Sequence, residues 1–135
     1  NNRPEVAYAV DCSAEVILLQ NQQGHYLAEG KINDEWALFV LDTGATNISI
    51  PGSVAKQLNL TEGYPQKTRT ANGDITVYRV LLDSVKLGSI ELKNIAAHIN
   101  PNMNGEAILL GMSFLKHLEM VQKNQRITLR LAPSS

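Results

Sequence analysis

Apolar and polar residues alternate along most of this chain with the two-residue period of half-buried strands. "VILLQ" (16–20), "YLAEGKI" (26–32) and "WALFVL" (36–41) read as extended segments, separated by the turn-rich "NQQGH" and by Asn33-Asp34. "NISI" (47–50) resumes extended structure, and Pro51 fits the first turn of a short helix, "PGSVAKQL", ending near Asn59. After "TEGYP", the segments "QKTRTA" and "ITVYRVLLDSVKL" predict a hairpin joined at Asn72-Gly73, the strongest two-residue turn signal in the chain. "ELKNIAAHI" (91–99) is a further strand, and the loop "NPNMNGE" (100–106) leads to the buried run "AILL" and Gly111. "MSFLKHL" (112–118) suits one or two helical turns. "EMVQKNQRITLRL" predicts a last hairpin around Lys123-Asn124-Gln125, with Ile127, Leu129 and Leu131 on one face.

Many short strands, frequent turns, two short helices and no βαβ alternation predict an all-β sandwich or barrel. A strand, a Gly and a short helix occur in that order at 38–58 and again at 107–118, an internal echo. At 135 residues the chain is long enough for one domain with a real core, expected over 15–131. Polar or Pro/Ser-rich tails are expected at 1–14 and 132–135.

Charge narrows the function classes. Twelve basic side chains against 13 acidic ones give −1, and the basic residues are scattered, so no nucleic-acid footprint is expected. Cys12 is alone, which excludes an intramolecular disulfide and a Cys-based zinc site. His25, His98 and His117 lack metal-ligand spacing and read as surface or loop residues. No metal or cofactor is expected. No apolar run approaches the roughly 20 residues of a membrane helix. The polar opening "NNRPEVAYAVDCSAE" without an initiator Met suggests a trimmed chain, whose own start carried a signal or anchor.

The chemistry concentrates in "ALFVLDTGATNISIP" (37–51), where an apolar strand delivers Asp42 into a tight turn. Acids are seldom buried unless paired or hydrogen-bonded. The Thr43 hydroxyl can bond a neighbouring backbone group, and Gly44 permits close approach, so the turn would hold the Asp42 carboxylate rigidly. One acid does not hydrolyse a peptide. Two held together do, because they cannot both ionise and so share a proton: one activates water while the other polarises the carbonyl. Asp11, Asp34 and Asp74 are not followed by Thr/Ser-Gly, and "LLDSV" around Asp83 has Val85 where Gly is required. If the turn carries that chemistry, the second acid must come from a second copy of the chain across a two-fold axis.

"LFVLDTGATNISIP", "TRTANGDITVY" and "AILLGMSFLKHL" together resemble the retropepsin-like aspartic proteases, in particular their single-domain bacterial branch, over about residues 25 to 131. The resemblance implies a homodimeric endopeptidase with Asp42 as catalytic acid, one per subunit. It implies that Thr43 braces the pair across the axis and that the Gly44 carbonyl receives a substrate N–H. Ala45, Thr46 and Asn47 would line the substrate beside it, Leu109-Leu110-Gly111 would pack beneath the loop, and Ala71-Asn72-Gly73 would form the tip of a mobile flap. Peptide or protein would be the substrate and a second copy of the chain the partner. An apolar lining of Leu38, Val40, Ile48, Ile50 and Val77 is expected, with greatest activity in acid. The bacterial branch implies an envelope location, on the periplasmic side of the inner membrane, through an N-terminal anchor outside this chain.

Two positions depart from the retroviral pattern. Thr46 replaces an acidic residue and Met112 an Arg, the two halves of an ion pair near the retroviral dimer interface. Losing both strands no charge but alters the interface. "RITLRL" (126–131) is the candidate for the terminal strand that interleaves in retroviral dimers. Two other readings fit parts of the sequence. One is an idle retropepsin fold used for binding or dimerisation. The other takes "DTGATN" as the phosphate loop of actin- and sugar-kinase-type ATPases, which need two domains and a second acidic Gly motif that this chain lacks.

Overall fold

The structure, a computed structural model, describes residues 5–8 and 14–132. Its first strands, β1 (Glu5–Tyr8) and β2 (Ala14–Leu19), pair antiparallel with Glu5 opposite Ile17 and Tyr8 opposite Ala14. Residues 5–8 of the segment read as a tail are therefore a strand; residues 1–4, 9–13 and 133–135, with Asp11 and Cys12, lie outside the described residues. β3 (Leu27–Ile32) and β4 (Glu35–Leu41) form a hairpin around Asn33 and Asp34, both at positive φ (49° and 68°). Such a turn twists with its strands, and Asn and Asp tolerate the left-handed region best after Gly. Alternation then sorts the side chains: Ala28, Ile32, Ala37 and Phe39 face the core, while Glu29, Lys31 and Trp36 do not.

β5 (Ile48–Pro51) runs into α1 (Gly52–Gln57), whose N-cap is Pro51, and Val54 and Ala55 are its buried face. β6 (Pro65–Thr70) and β7 (Gly73–Leu87) make a ribbon, and β8 (Ile90–Asn100) returns along β7 through Gly88-Ser89. β9 (Ala107–Leu110), α2 (Met112–Leu115), β10 (Leu118–Lys123) and β11 (Arg126–Leu131) complete the chain. The last hairpin turns on Asn124 and Gln125, both at positive φ.

The strand order β3-β4-β9-β5-β8-β7 closes on itself, because Gly30 to Ile32 of β3 pair with Leu87 to Val85 of β7. A closed six-strand barrel results, with β6 attached outside the ring along β7. The second sheet, in the order β1-β2-β11-β10, lies apart from it in the pairing pattern. Its inward residues Val16, Leu18, Ile127 and Leu129 join one buried cluster with Ile32, Phe39, Leu82, Ile108 and Phe114 of the barrel and α2. Of the all-β sandwich or barrel expected, a closed barrel forms, with two short helices among the described residues. Among the described residues no helix is long and apolar enough to cross a membrane.

One feature of the topology positions the site. β9 is inserted between β4 and β5, parallel to β4 (Val40 opposite Leu109) and antiparallel to β5 (Ser49 opposite Leu109). The chain leaving β4 must therefore pass over the end of β9 before it can enter β5. That crossing segment is residues 42–47.

Candidate active site

Asp42 stands at the end of β4, where the hydrogen-bond ladder hands over to the turn. Its N–H donates to the Leu110 carbonyl at 3.1 Å, its own carbonyl accepts the Ala45 N–H at 3.2 Å, and its Oδ1 accepts the Gly44 N–H at 3.0 Å. Three bonds from different directions thus fix backbone and carboxylate together. Asp42 is half-buried, and Thr43 and Gly44 at the crest of the turn are exposed. The Thr43 hydroxyl makes no hydrogen bond among the described residues, so it is free to bond elsewhere.

The loop is held from below by the segment after β9. Met112 N–H donates to the Ala45 carbonyl and Ser113 N–H to the Thr46 carbonyl, each at 2.8 Å. Gly111 passes directly beneath; a Cβ there would stand 2.2 Å from the Asn47 carbonyl oxygen and 2.7 Å from that of Ala45. Only a residue without a side chain lets the strand approach so closely. Buried Ser113 adds a side-chain tie: its Oγ donates to the Ala96 carbonyl at 2.7 Å and accepts the Ile48 N–H at 3.2 Å, joining α2, β8 and β5. Replacing Ser113 by Ala removes the acceptor of a buried N–H, which costs about 1–3 kcal/mol. Denaturant unfolding of Ser113→Ala should show that loss; a stability equal to the parent's would contradict it.

The ribbon tip is as polar and exposed as expected, but its turn is shifted by one residue. Thr70 is paired with Gly73, so the loop is Ala71-Asn72 and not Asn72-Gly73. Among these three only Gly73 takes positive φ (109°). Ala71 cannot easily adopt the left-handed region, so the positive φ falls on the Gly that follows the loop. Thr70 Oγ1 donates to the Gly73 carbonyl at 2.7 Å and accepts the Asn72 N–H at 3.2 Å, closing the tip. Arg69 and Asp74 face each other at 3.6 Å, both exposed, and contribute little. Among the described residues no hydrogen bond joins this tip to the 42–47 loop, so the ribbon projects from the barrel on its own pairing.

Other sequence expectations sort clearly. Asp83 is exposed on β7, and Asp34 lies in its turn 4.0 Å from Lys86. Leu38 and Val40 are half-buried, but Ile48 and Ile50 are fully buried (0%) and Val77 nearly so (4%). All three are too buried to form the expected lining, and alternation along β5 turns Ile48 and Ile50 inward into the core cluster, leaving Asn47 and Ser49 on the other face. His98 was expected at the surface or in a loop and is instead half-buried in β8. Its Nε2 lies 3.4 Å from the Asn47 Nδ2, and its pKa is lowered by burial and then by the Arg79 charge. Among the described residues no three His, Cys, Asp or Glu side chains cluster as a metal site.

Comparison with known proteins decides the family. The model of the gag-polyprotein putative aspartyl protease family matches residues 28–117, from β3 to the end of α2 and just beyond. The chain belongs to the retropepsin-like aspartic protease family. A crystal structure of a retropepsin-like aspartic protease from Rickettsia conorii superimposes with a TM-score of 0.77 at 28% identity, covering 95% of this chain and 93% of that one. The EIAV protease, complexed with the inhibitor HBY-793, shares the fold at a TM-score of 0.57 and 17% identity, over 71% of this chain and 89% of that one. Two uncharacterised proteins are each 32% identical. One, from Sinorhizobium sp, aligns over 111 residues (80% of this chain, 48% of its own), and one from Rickettsia prowazekii over 108 (78% and 46%). This retropepsin-like chain thus spans about half the length of the curated relatives it matches. Within the matched residues lie Asp42-Thr43-Gly44, the whole β6–β7 ribbon and Gly111.

Proposed function

We propose that the chain is an aspartic endopeptidase that works as a homodimer, with one Asp42 from each subunit and the 15–131 domain as its catalytic unit. The observation that carries this is Asp42 itself: a half-buried carboxylate locked by its turn at the end of a barrel strand, in a family of aspartic proteases. Among the described aspartates of the same lobe none completes the chemistry: Asp34, Asp74 and Asp83 are exposed, and the first two face Lys86 and Arg69.

In the dimer the two Asp42 carboxyl groups meet at the two-fold axis and hold one proton between them. The ionised oxygen takes a proton from a shared water, which attacks the scissile carbonyl carbon. The protonated carboxyl donates to the carbonyl oxygen. The resulting tetrahedral diol collapses when a carboxyl returns a proton to the amide nitrogen, and the C–N bond breaks. Thr43 hydroxyls at the crest brace the pair across the axis, and the Gly44 carbonyl accepts a substrate N–H. Ala45, Thr46 and Asn47 line the extended peptide, which lies like an added strand. The ribbon tip, Ala71-Asn72-Gly73, closes over it and excludes water. A two-stranded ribbon is only marginally ordered alone, which suits a lid.

Activity should be greatest in acid and fall as the shared proton is lost. Because each centre needs two chains, specific activity on a mixed peptide library should fall on dilution through the dimer dissociation constant. Activity that persists per chain where sedimentation shows only monomer would overturn the dimeric reading. No turnover by a verified dimer, at any pH or with any peptide, would favour the idle binding module.

A further inference from the structure

A cavity of about 840 Å³ opens between the far end of the active-site loop and the root of the β6–β7 ribbon. Asn47 lies at one side, Gln66 of β6 and Arg79 of β7 at another, and His98 of β8 between them. Arg79 and His98 are direct cross-strand partners. Burial and, after it, the Arg79 charge lower the His98 pKa, so the ring beside the guanidinium favours its neutral form. Arg79 is exposed and makes no ion pair among the described residues; Glu62, also at the cavity's edge, is exposed and does not engage it. His98 has its Nε2 beside the Asn47 amide. An amide N–H can only donate, so the neutral ring accepts there and keeps its other nitrogen as a donor. Arg79, His98 and Gln66 therefore supply donors at a cavity that Leu81, largely exposed, flanks with apolar surface.

We infer that this cavity is a subsite for a carboxylate side chain of the substrate, with Arg79 and His98 as its specificity-determining residues. The inference rests on the protease reading for its occupant: a peptide running from Asp42 past Asn47 beneath the ribbon would send a side chain here. Glutamate fits better than its amide. Its charge meets the Arg79 guanidinium, where charge-assisted bonds are about twice as strong as neutral ones. Its methylene stem lies along Leu81. An apolar residue would leave the guanidinium no partner, and a lysine would oppose it.

The test scans Glu against Gln through otherwise identical peptides. Two readouts are taken: equilibrium binding to dimeric Asp42→Asn protein and cleavage by the parent enzyme. At one position on either side of the cut, Glu should be preferred by about 10- to 100-fold. Arg79→Gln should bring that ratio close to one, and Arg79→Glu should turn it toward Lys, with unchanged thermal melts showing that both variants fold. Absence of a Glu preference at every position, or a preference that survives Arg79→Gln, overturns the inference. Selective binding without any cleavage would instead count against the protease reading and leave the subsite standing.

Discussion

Asp42→Asn is expected to reduce cleavage by about 10³-fold or more, since a positioned acid–base group contributes on that scale and here one residue supplies both. The variant replaces both carboxyls of the dimer at once, so neither a base for water nor an acid for the carbonyl remains. Folding should hardly change. An Asn Oδ1 still accepts the Gly44 N–H that now lies 3.0 Å away, and the Leu110 and Ala45 bonds involve only backbone. The expected pattern is a lost rate with an unchanged melting temperature and unchanged dimer mass. A variant that cuts at the parent rate would remove Asp42 from the mechanism, whatever the fold.

Gly111→Ala is expected to do the opposite and act first on the fold. The new Cβ would stand 2.2 Å from one backbone oxygen and 2.7 Å from another, and neither oxygen can swing aside as a side chain can. Relief requires lifting the 42–47 loop from the end of β9. That would stretch the bonds from Met112 to Ala45 and from Ser113 to Thr46. Overpacking costs about 1–3 kcal/mol on its own, and more when a backbone cannot shift. With the loosened bonds added, the melting temperature should fall by roughly 10 °C or more. Whatever protein still folds should cleave poorly, because the same loop carries Asp42. A melting temperature within about two degrees of the parent would show that the crossing is less tight than described.

Much of this was legible in the sequence, for reasons that differ by element. The hairpin at Asn33-Asp34 and the one expected around Lys123-Asn124-Gln125 were legible because turn chemistry is local: Asn33, Asp34, Asn124 and Gln125 take the left-handed conformation, and Lys123 is already paired in its strand. Asp42-Thr43-Gly44 was found because an acid at the end of an apolar strand is costly unless it is used. Gly88-Ser89 is a two-residue hairpin of equal standing, with Leu87 opposite Ile90; the Gly-Ser pair was the signal that could have revealed it. The tip shows the limit of dipeptide rules: the loop is Ala71-Asn72 and the positive φ falls on Gly73 just after it, so the Asn-Gly pair placed the turn only to within one residue. The faces of β5 were misjudged for another reason. Ile48 and Ile50 are apolar in either setting, and only the insertion of β9 decides that they point inward. His98 was passed over because its partner Asn47 is 51 residues away, and no local pattern announces a contact set by strand order.

The central claim is that one reaction centre takes Asp42 from two chains, and mixing subunits tests it. A fixed amount of parent protein is combined with a threefold excess of Asp42→Asn protein, at concentrations where the dimer is intact and after full exchange. If both carboxyls are required, only parent–parent dimers cut, and total activity falls to about one quarter. Activity that stays at the level of the parent alone would mean that each chain works by itself, and would contradict the account.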